Sequence, residues 1–238
     1  MPTIKNNNFI GHVDLKGAYL TDLTYKGKKV LFDRSQIRLG DSMKIRGGMH
    51  VCAPNFSDDK ILNELKSHGF GRNLTWKVLD CGEDFLDLGL RGVGTYEKVD
   101  FEISYKLEED GLRTRLLIKN KGTSPVPVAP AFHPYFRTSF DELVISDLVI
   151  DKEALPSSIF VDRKNLSFRT KDFEIAILAC ENVEVYTLWS DFLDDYICLE
   201  PTYNGKSFAD EDKTPFVLES GKDFCQSFLI RVRENQDN

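Results

Sequence analysis

The 238-residue chain has little of what most familiar cofactor and membrane motifs need. No apolar run approaches the roughly 18–20 residues of a transmembrane helix. Met1 to Phe9 carries one lysine and three asparagines but no apolar segment, so it does not read as a signal peptide. The five cysteines (52, 81, 180, 198, 225) are odd in number and widely spaced, and no Cys-x-x-Cys pair occurs. That usage predicts reduced thiols in a cytoplasmic protein. Basic residues number 31 against 38 acidic ones, a net charge of −7. A polyanion needs a cationic face, so nucleic acid is excluded as the main partner, and a membrane surface is not expected. A small phosphate held by two or three local arginines stays compatible with that balance. Neither Gly-x-Ser-x-Gly, His-Glu-x-x-His nor a calcium-loop pattern is present. Gly89, Gly92 and Gly94 precede an alternating run, not a helix, so there is no helix terminus for a nucleotide phosphate. The four histidines never fall at a short ligand spacing such as His-x-His. His68, His133 and Glu200 make a ligand set on paper, but no metal and no cofactor is expected.

What the chain does have is a period of two. Phe101, Ile103, Tyr105 and Leu107 alternate with polar residues, and so do Leu112, Thr114, Leu116 and Ile118. Asp110-Gly111 lies between the two runs, which predicts a hairpin closed by a type I′ turn. Similar alternation covers 173–179, 183–189 and 224–232, and Tyr25 to Lys28 and Lys119 to Ser124 read as further turns. Helical spacing is confined to Ile61, Leu62 and Leu65, after a possible N-cap at Asp58. With 41% hydrophobic and 29% charged residues, the composition is that of a globular protein. The expectation is an all-β sandwich or barrel of roughly a dozen strands, with one short helix, forming a single domain over 1–238.

Four segments set polar groups among apolar or glycine-rich neighbours: 46–56, 68–76, 131–137 and 197–201. In the third, His133 and Tyr135 would share one face of a strand, and Pro134 cannot donate to a ladder. Proline therefore predicts an edge, a bulge or a strand end. His133 reads either as a hydrogen-bonded structural histidine or as a site residue. Glu200 closes an apolar strand, where a carboxylate is costly unless it is paired or useful. Desolvation would raise its pKa towards that of a base competent at neutral pH. The bland alternative is a rim glutamate. His68, Arg72 and Trp76 combine an aromatic with polar groups, which suits a sugar, and Phe70 is a second candidate for its apolar face. Arg46 and Arg72 read as anion ligands or as surface ion-pair formers. His12 and His50 read as structural.

Together, in this order, the four segments resemble the aldose 1-epimerase (mutarotase) family, and most closely its glucose-6-phosphate 1-epimerase-like branch. The carriers are Arg46-Gly47-Gly48 through Asn55 to Phe56, His68-Gly69-Phe70-Gly71-Arg72-Asn73 to Trp76, Phe132 to Phe136, and Leu199-Glu200-Pro201. The resemblance implies a large antiparallel β-sandwich (the galactose mutarotase-like supersandwich) with a cleft on one face. It implies interconversion of α and β anomers of an aldohexose, with His133 as general acid and Glu200 as general base. It makes His68 a sugar contact and Arg46 and Arg72 phosphate contacts. Asn55, Trp76, Tyr135 and Asp191 complete the expected binding set, Asp191 as a candidate hydroxyl ligand. The expected partner is a small sugar or sugar phosphate, and the expected state is a monomer or weak dimer. A non-catalytic sugar-binding or sugar-sensing protein on the same fold is the alternative.

Overall fold

The computed structural model describes residues 1–59, 64–208 and 214–235. The alternating segments form strands that pair antiparallel into two large sheets, and the architecture is an all-β sandwich. The first sheet has nine strands and the second eight. Phe132, Phe136, Leu188 and Leu199 of the first face Leu88, Phe101, Leu116 and Phe228 of the second in one buried apolar cluster. Burying each such side chain contributes about 1.5–3 kcal/mol relative to exposure.

The hairpin read from the sequence is present. Val99–Glu108 pairs with Gly111–Asn120, with Phe101 opposite Ile118 and Leu107 opposite Leu112. Its turn differs from the expectation. The loop is Glu109-Asp110, Gly111 lies inside the strand opposite Glu108, and neither loop residue has a positive φ. Glycine at 111 answers a different need. A Cβ there would lie 2.4 Å from the carbonyl oxygen of Ile230 in the next strand. The left-handed pair sits instead at Lys26-Gly27 (φ 50° and 81°), joining Tyr19–Tyr25 to Lys28–Lys29.

The helix expected after Asp58 centres on residues 60–63, outside the described residues. Helical turns among the described residues are 3-10 pieces at Gly94–Tyr96, Phe140–Glu142 and Lys152–Ser157.

Proline also behaves unlike the expectation. Ala131–Arg137 is a central strand, flanked by Met49–Cys52 on one side and Tyr196–Thr202 on the other. Pairing with Tyr196–Thr202 holds at Ala131–Thr202 and again at Tyr135–Cys198, but lapses in between. The register is unbroken across the lapse, so His133 stands opposite Glu200. The cause is local. Tyr135 donates its N–H to Gly48 on one side, so position 134 faces the other strand, and proline has no N–H to offer. Central placement is tolerated because the missing rung falls in a short gap bracketed by intact pairs.

Candidate active site

Alternation places the site. On Met49–Cys52, Ala131–Arg137, Val185–Trp189 and Tyr196–Thr202, one set of side chains enters the apolar core and the other faces away from it. The outward set includes His50, His133, Tyr135, Trp189 and Glu200, and these line a cavity of about 520 Å³. That volume is within the range of small-molecule sites, about 300–1,000 Å³. A second cavity of about 430 Å³ lies against Arg169, Glu174 and Arg231 of the other sheet, and no histidine lines it. The chemistry therefore belongs to the first.

At the floor, His133 Nε2 is 3.5 Å from Glu200 Oε1. Both residues are buried, at 5% and 1% exposure. His133 stacks on Tyr135, with centroids 4.7 Å apart and planes at 14°. Two further imidazoles surround it: His50 at 4.8 Å and His68 at 5.4 Å between centroids. Cys52 Sγ lies 3.4 Å from His68 Nδ1 and 3.7 Å from His50 Nδ1. His133 Nδ1 and Glu200 Oε2 are buried without a hydrogen-bond partner. Buried polar atoms are normally satisfied, so two orphans on two cavity-lining residues leave hydrogen-bonding capacity that the protein itself does not use.

Burial sets the electrostatics. Loss of hydration pushes the Glu200 carboxyl well above the ordinary carboxylate value. The same loss pushes His133 well below the ordinary imidazole value, helped by the nearby His50, His68 and Arg72. His50 is depressed by burial and by Arg72, and His68 falls to about 4 for the same two reasons. Ionised, the carboxylate is thus a strengthened base and the imidazolium a strengthened acid.

Connections build the walls. The turn after residue 66 supplies His68 and Arg72. His68 is held at φ 68°, a left-handed conformation uncommon for a residue with a Cβ. The Ser35–Leu39 and Ser42–Arg46 hairpin supplies Arg46, and the chain then turns through Gly47 and Gly48 into the floor. Glycine is required there. Gly47 has φ 92°, and a Cβ would lie 2.2 Å from the Asp33 carbonyl oxygen. Among the described residues, Lys16, Arg34, Arg46 and Arg72 line the cavity, and Glu200 is the one carboxylate. Arg34 is paired with Asp14 at 2.7 Å. Arg46 is paired with Asp191 at 2.8 Å and lies over the Trp189 ring. Arg72 has no carboxylate partner among the described residues.

Of the residues expected at the site, His133, Glu200, His68, Arg46, Arg72 and Tyr135 line this cavity. Asn55, Trp76 and Asp191 do not. Trp76 is 1% exposed in the apolar core and donates its indole N–H to Gly71 O at 2.9 Å. Its volume belongs to packing, and Phe70 likewise packs on Tyr96 and Phe101. Asn55 is fully buried and donates its amide to the Ser57 and Lys66 carbonyls, bracing the loop behind the wall. Asp191 sits behind Arg46 and also accepts from the Tyr196 hydroxyl.

His50, read as structural, is a lining residue. The signal for it was register: His50 pairs directly with His133 across neighbouring strands. Tyr19, Lys16 and Arg34 carried no sequence signal. All five cysteines are free, and no helix among the described residues is long and apolar enough to cross a membrane.

The comparisons agree with this architecture. Among curated protein sequences none matches the chain. Solved structures do. The galactose mutarotase related enzyme of Lactobacillus acidophilus superposes with a TM-score of 0.81 at 16% identity, over 99% of this chain and 98% of that one. A galactose mutarotase-like protein from Lactobacillus casei gives 0.80 at 16%, over 98% and 100%. The Slr1438 protein of Synechocystis sp. PCC 6803 gives 0.78 at 20%, over 98% and 96%. At such identities the likeness is one of fold. The family model for aldose 1-epimerase matches residues 3–191, ending short of Glu200. Since that match spans most of the sequence, the chain belongs to the aldose 1-epimerase family, whose members interconvert sugar anomers.

Proposed function

We propose that this protein interconverts the α and β anomers of an aldohexose by acid–base ring opening, with Glu200 and His133 handling the protons. The single observation that carries the reading is the facing pair at 3.5 Å, two buried groups that line one cavity and each keep a polar atom without a protein partner. Glu200 takes the proton of the C1 hydroxyl as the C1–O5 bond breaks. His133 delivers a proton to O5, leaving an open-chain aldehyde, a protonated Glu200 and a neutral His133. Rotation about C1–C2 exposes the other face of the carbonyl. Closure then reverses both transfers and restores the starting charges. Loss of hydration raises the carboxyl and lowers the imidazolium, so the ionised pair is a strong base and a strong acid. The same loss favours the neutral pair between turnovers, and the hydroxyls of bound sugar would supply the hydrogen bonds that stabilise the ionised one.

The cations argue for an anionic substituent on the sugar. Among the described residues, four basic side chains line the cavity of a protein whose net charge is −7, and Arg72 has no carboxylate partner there. A hexose 6-phosphate fits that wall, with Arg72 as the principal phosphate ligand. Tyr135 and His68 would hold hydroxyls.

Exchange NMR or polarimetry with glucose and glucose 6-phosphate tests the reading. Anomer exchange should exceed the buffer rate, and Glu200→Gln should lower it about 10²–10⁴-fold while sugar binding persists. A protein that binds sugar without accelerating exchange would be a binding or sensing module instead.

A further inference from the structure

We propose that the pocket floor is also a binding site for a borderline divalent transition metal, zinc above all, coordinated by His133, Cys198 and Glu200. The three residues offer one nitrogen, one sulfur and one oxygen, and these atoms lie within 4.8 Å of one another. They come from two neighbouring central strands. Cys198 and Glu200 are two apart on Tyr196–Thr202 and so share a face, while Tyr135 pairs with Cys198 and the register sets His133 against Glu200. No loop has to order to bring them together.

The spacing suits a small tetrahedral ion. Zinc bonds of about 2.0–2.3 Å imply ligand atoms about 3.4–3.7 Å apart. The His133–Glu200 separation of 3.5 Å already meets that. The widest separation allowed within the group, 4.8 Å, asks for a closing of about 1 Å, within reach of side-chain rotation. All three residues are buried, Cys198 completely, among Phe32, Tyr135 and Tyr196. Glu200 Oε2 and His133 Nδ1 lack partners, so neither residue's donor set is exhausted by the protein. Calcium and magnesium are disfavoured, since they take six or more oxygen ligands. A thiolate, an imidazole and a carboxylate select zinc or cobalt. Three protein ligands leave a fourth position, and the cavity lies on the side where His133 and Glu200 are reached.

Coordination forms a metal–sulfur bond as the Cys198 S–H bond breaks, and that proton leaves to solvent, as does any proton on Glu200. Thiolate and carboxylate then balance the two positive charges, so the arginine-lined wall does not oppose the bound ion as it would a bare one. The ion occupies the two groups assigned to proton transfer, so it blocks anomer exchange reversibly. That last consequence rests on the sugar reading above, whereas the binding itself does not.

Cobalt titration of the full-length protein, kept reduced without added thiols, tests the site. One equivalent should give a near-ultraviolet sulfur-to-cobalt charge-transfer band and strong visible absorption of tetrahedral type, both displaced by zinc. Cys198→Ser and Cys198→Ala should abolish the charge-transfer band and weaken metal binding about 10-fold or more. Cys198 does not line the cavity, so both variants should keep metal-free exchange activity and escape inhibition by zinc. Circular dichroism confirms that at least one of them is folded. Absence of the charge-transfer band, its persistence in both Cys198 variants, or its loss in Cys52→Ser instead would overturn the assignment. If the metal-free protein fails to exchange anomers, the functional reading falls while the cobalt spectrum still decides the site.

Discussion

Cys52 and Cys198 are fully buried, and loss of hydration pushes both thiols well above the usual thiol value. Cys81 and Cys180 are exposed. Because the thiolate is the reactive form, the folded protein should alkylate at 81 and 180 and spare 52 and 198 until denatured. Mass spectrometry of iodoacetamide-treated protein reads this directly, and rapid labelling of Cys198 in folded protein would contradict the packing. The two arginines of the wall should separate as well. Arg72 has no carboxylate partner among the described residues, so Arg72→Ala should raise KM for a hexose phosphate about 10–100-fold and leave the free hexose nearly unchanged. Arg46 holds Asp191 and covers Trp189, so Arg46→Ala should impair both substrates alike. Steady-state kinetics on the pair distinguishes the two residues, and equal phosphate selectivity in both variants would remove the special role of Arg72.

At the scale of the element, Gly111 shows how sheets constrain sequence. Its φ is ordinary, yet a Cβ would lie 2.4 Å from the Ile230 carbonyl, so Gly111→Ala must spread two strands that each carry core residues. The expected cost is about 1–3 kcal/mol, read as a lower urea midpoint with an unchanged slope. An unaltered midpoint would mean the strands part freely. The same element shows what periodicity conveys. Alternation over 101–107 and 112–118 announced both strands, because side-chain direction in a strand depends only on parity. The turn was misread by one residue, because Gly111 serves a neighbour 119 positions away that no local pattern reveals. Pro134 was assigned to an edge, a bulge or a strand end for a related reason. The proline rule concerns which N–H is missing, and the sequence does not say that Tyr135 looks towards Gly48 and position 134 towards the other strand. His133 and Glu200 were legible because a polar residue inside an apolar run is conspicuous. His50 gains its meaning only from lying beside His133, and Trp76 lost its expected role because bulk apolar volume is drawn into the core before it is offered to a ligand.

For the whole molecule, the net charge is −7, yet the described residues lining the cavity include four basic side chains. Of these, Arg34 and Arg46 are ion-paired, while Lys16 and Arg72 have no carboxylate partner among the described residues and would draw an anion to the cleft. Raising ionic strength should therefore lower kcat/KM for a phosphorylated hexose and spare the neutral one. Parallel salt series on both sugars would show it, and identical slopes would argue that the phosphate is not drawn by the field. The division of labour within the sandwich has a further consequence. The groups assigned to proton transfer sit on strands tied into the sheet at both sides, as does Tyr135, while His68 and Arg72 come from a connecting segment. Exchanging that segment while keeping the strands should therefore alter which sugar is accepted without displacing the two groups proposed to handle protons.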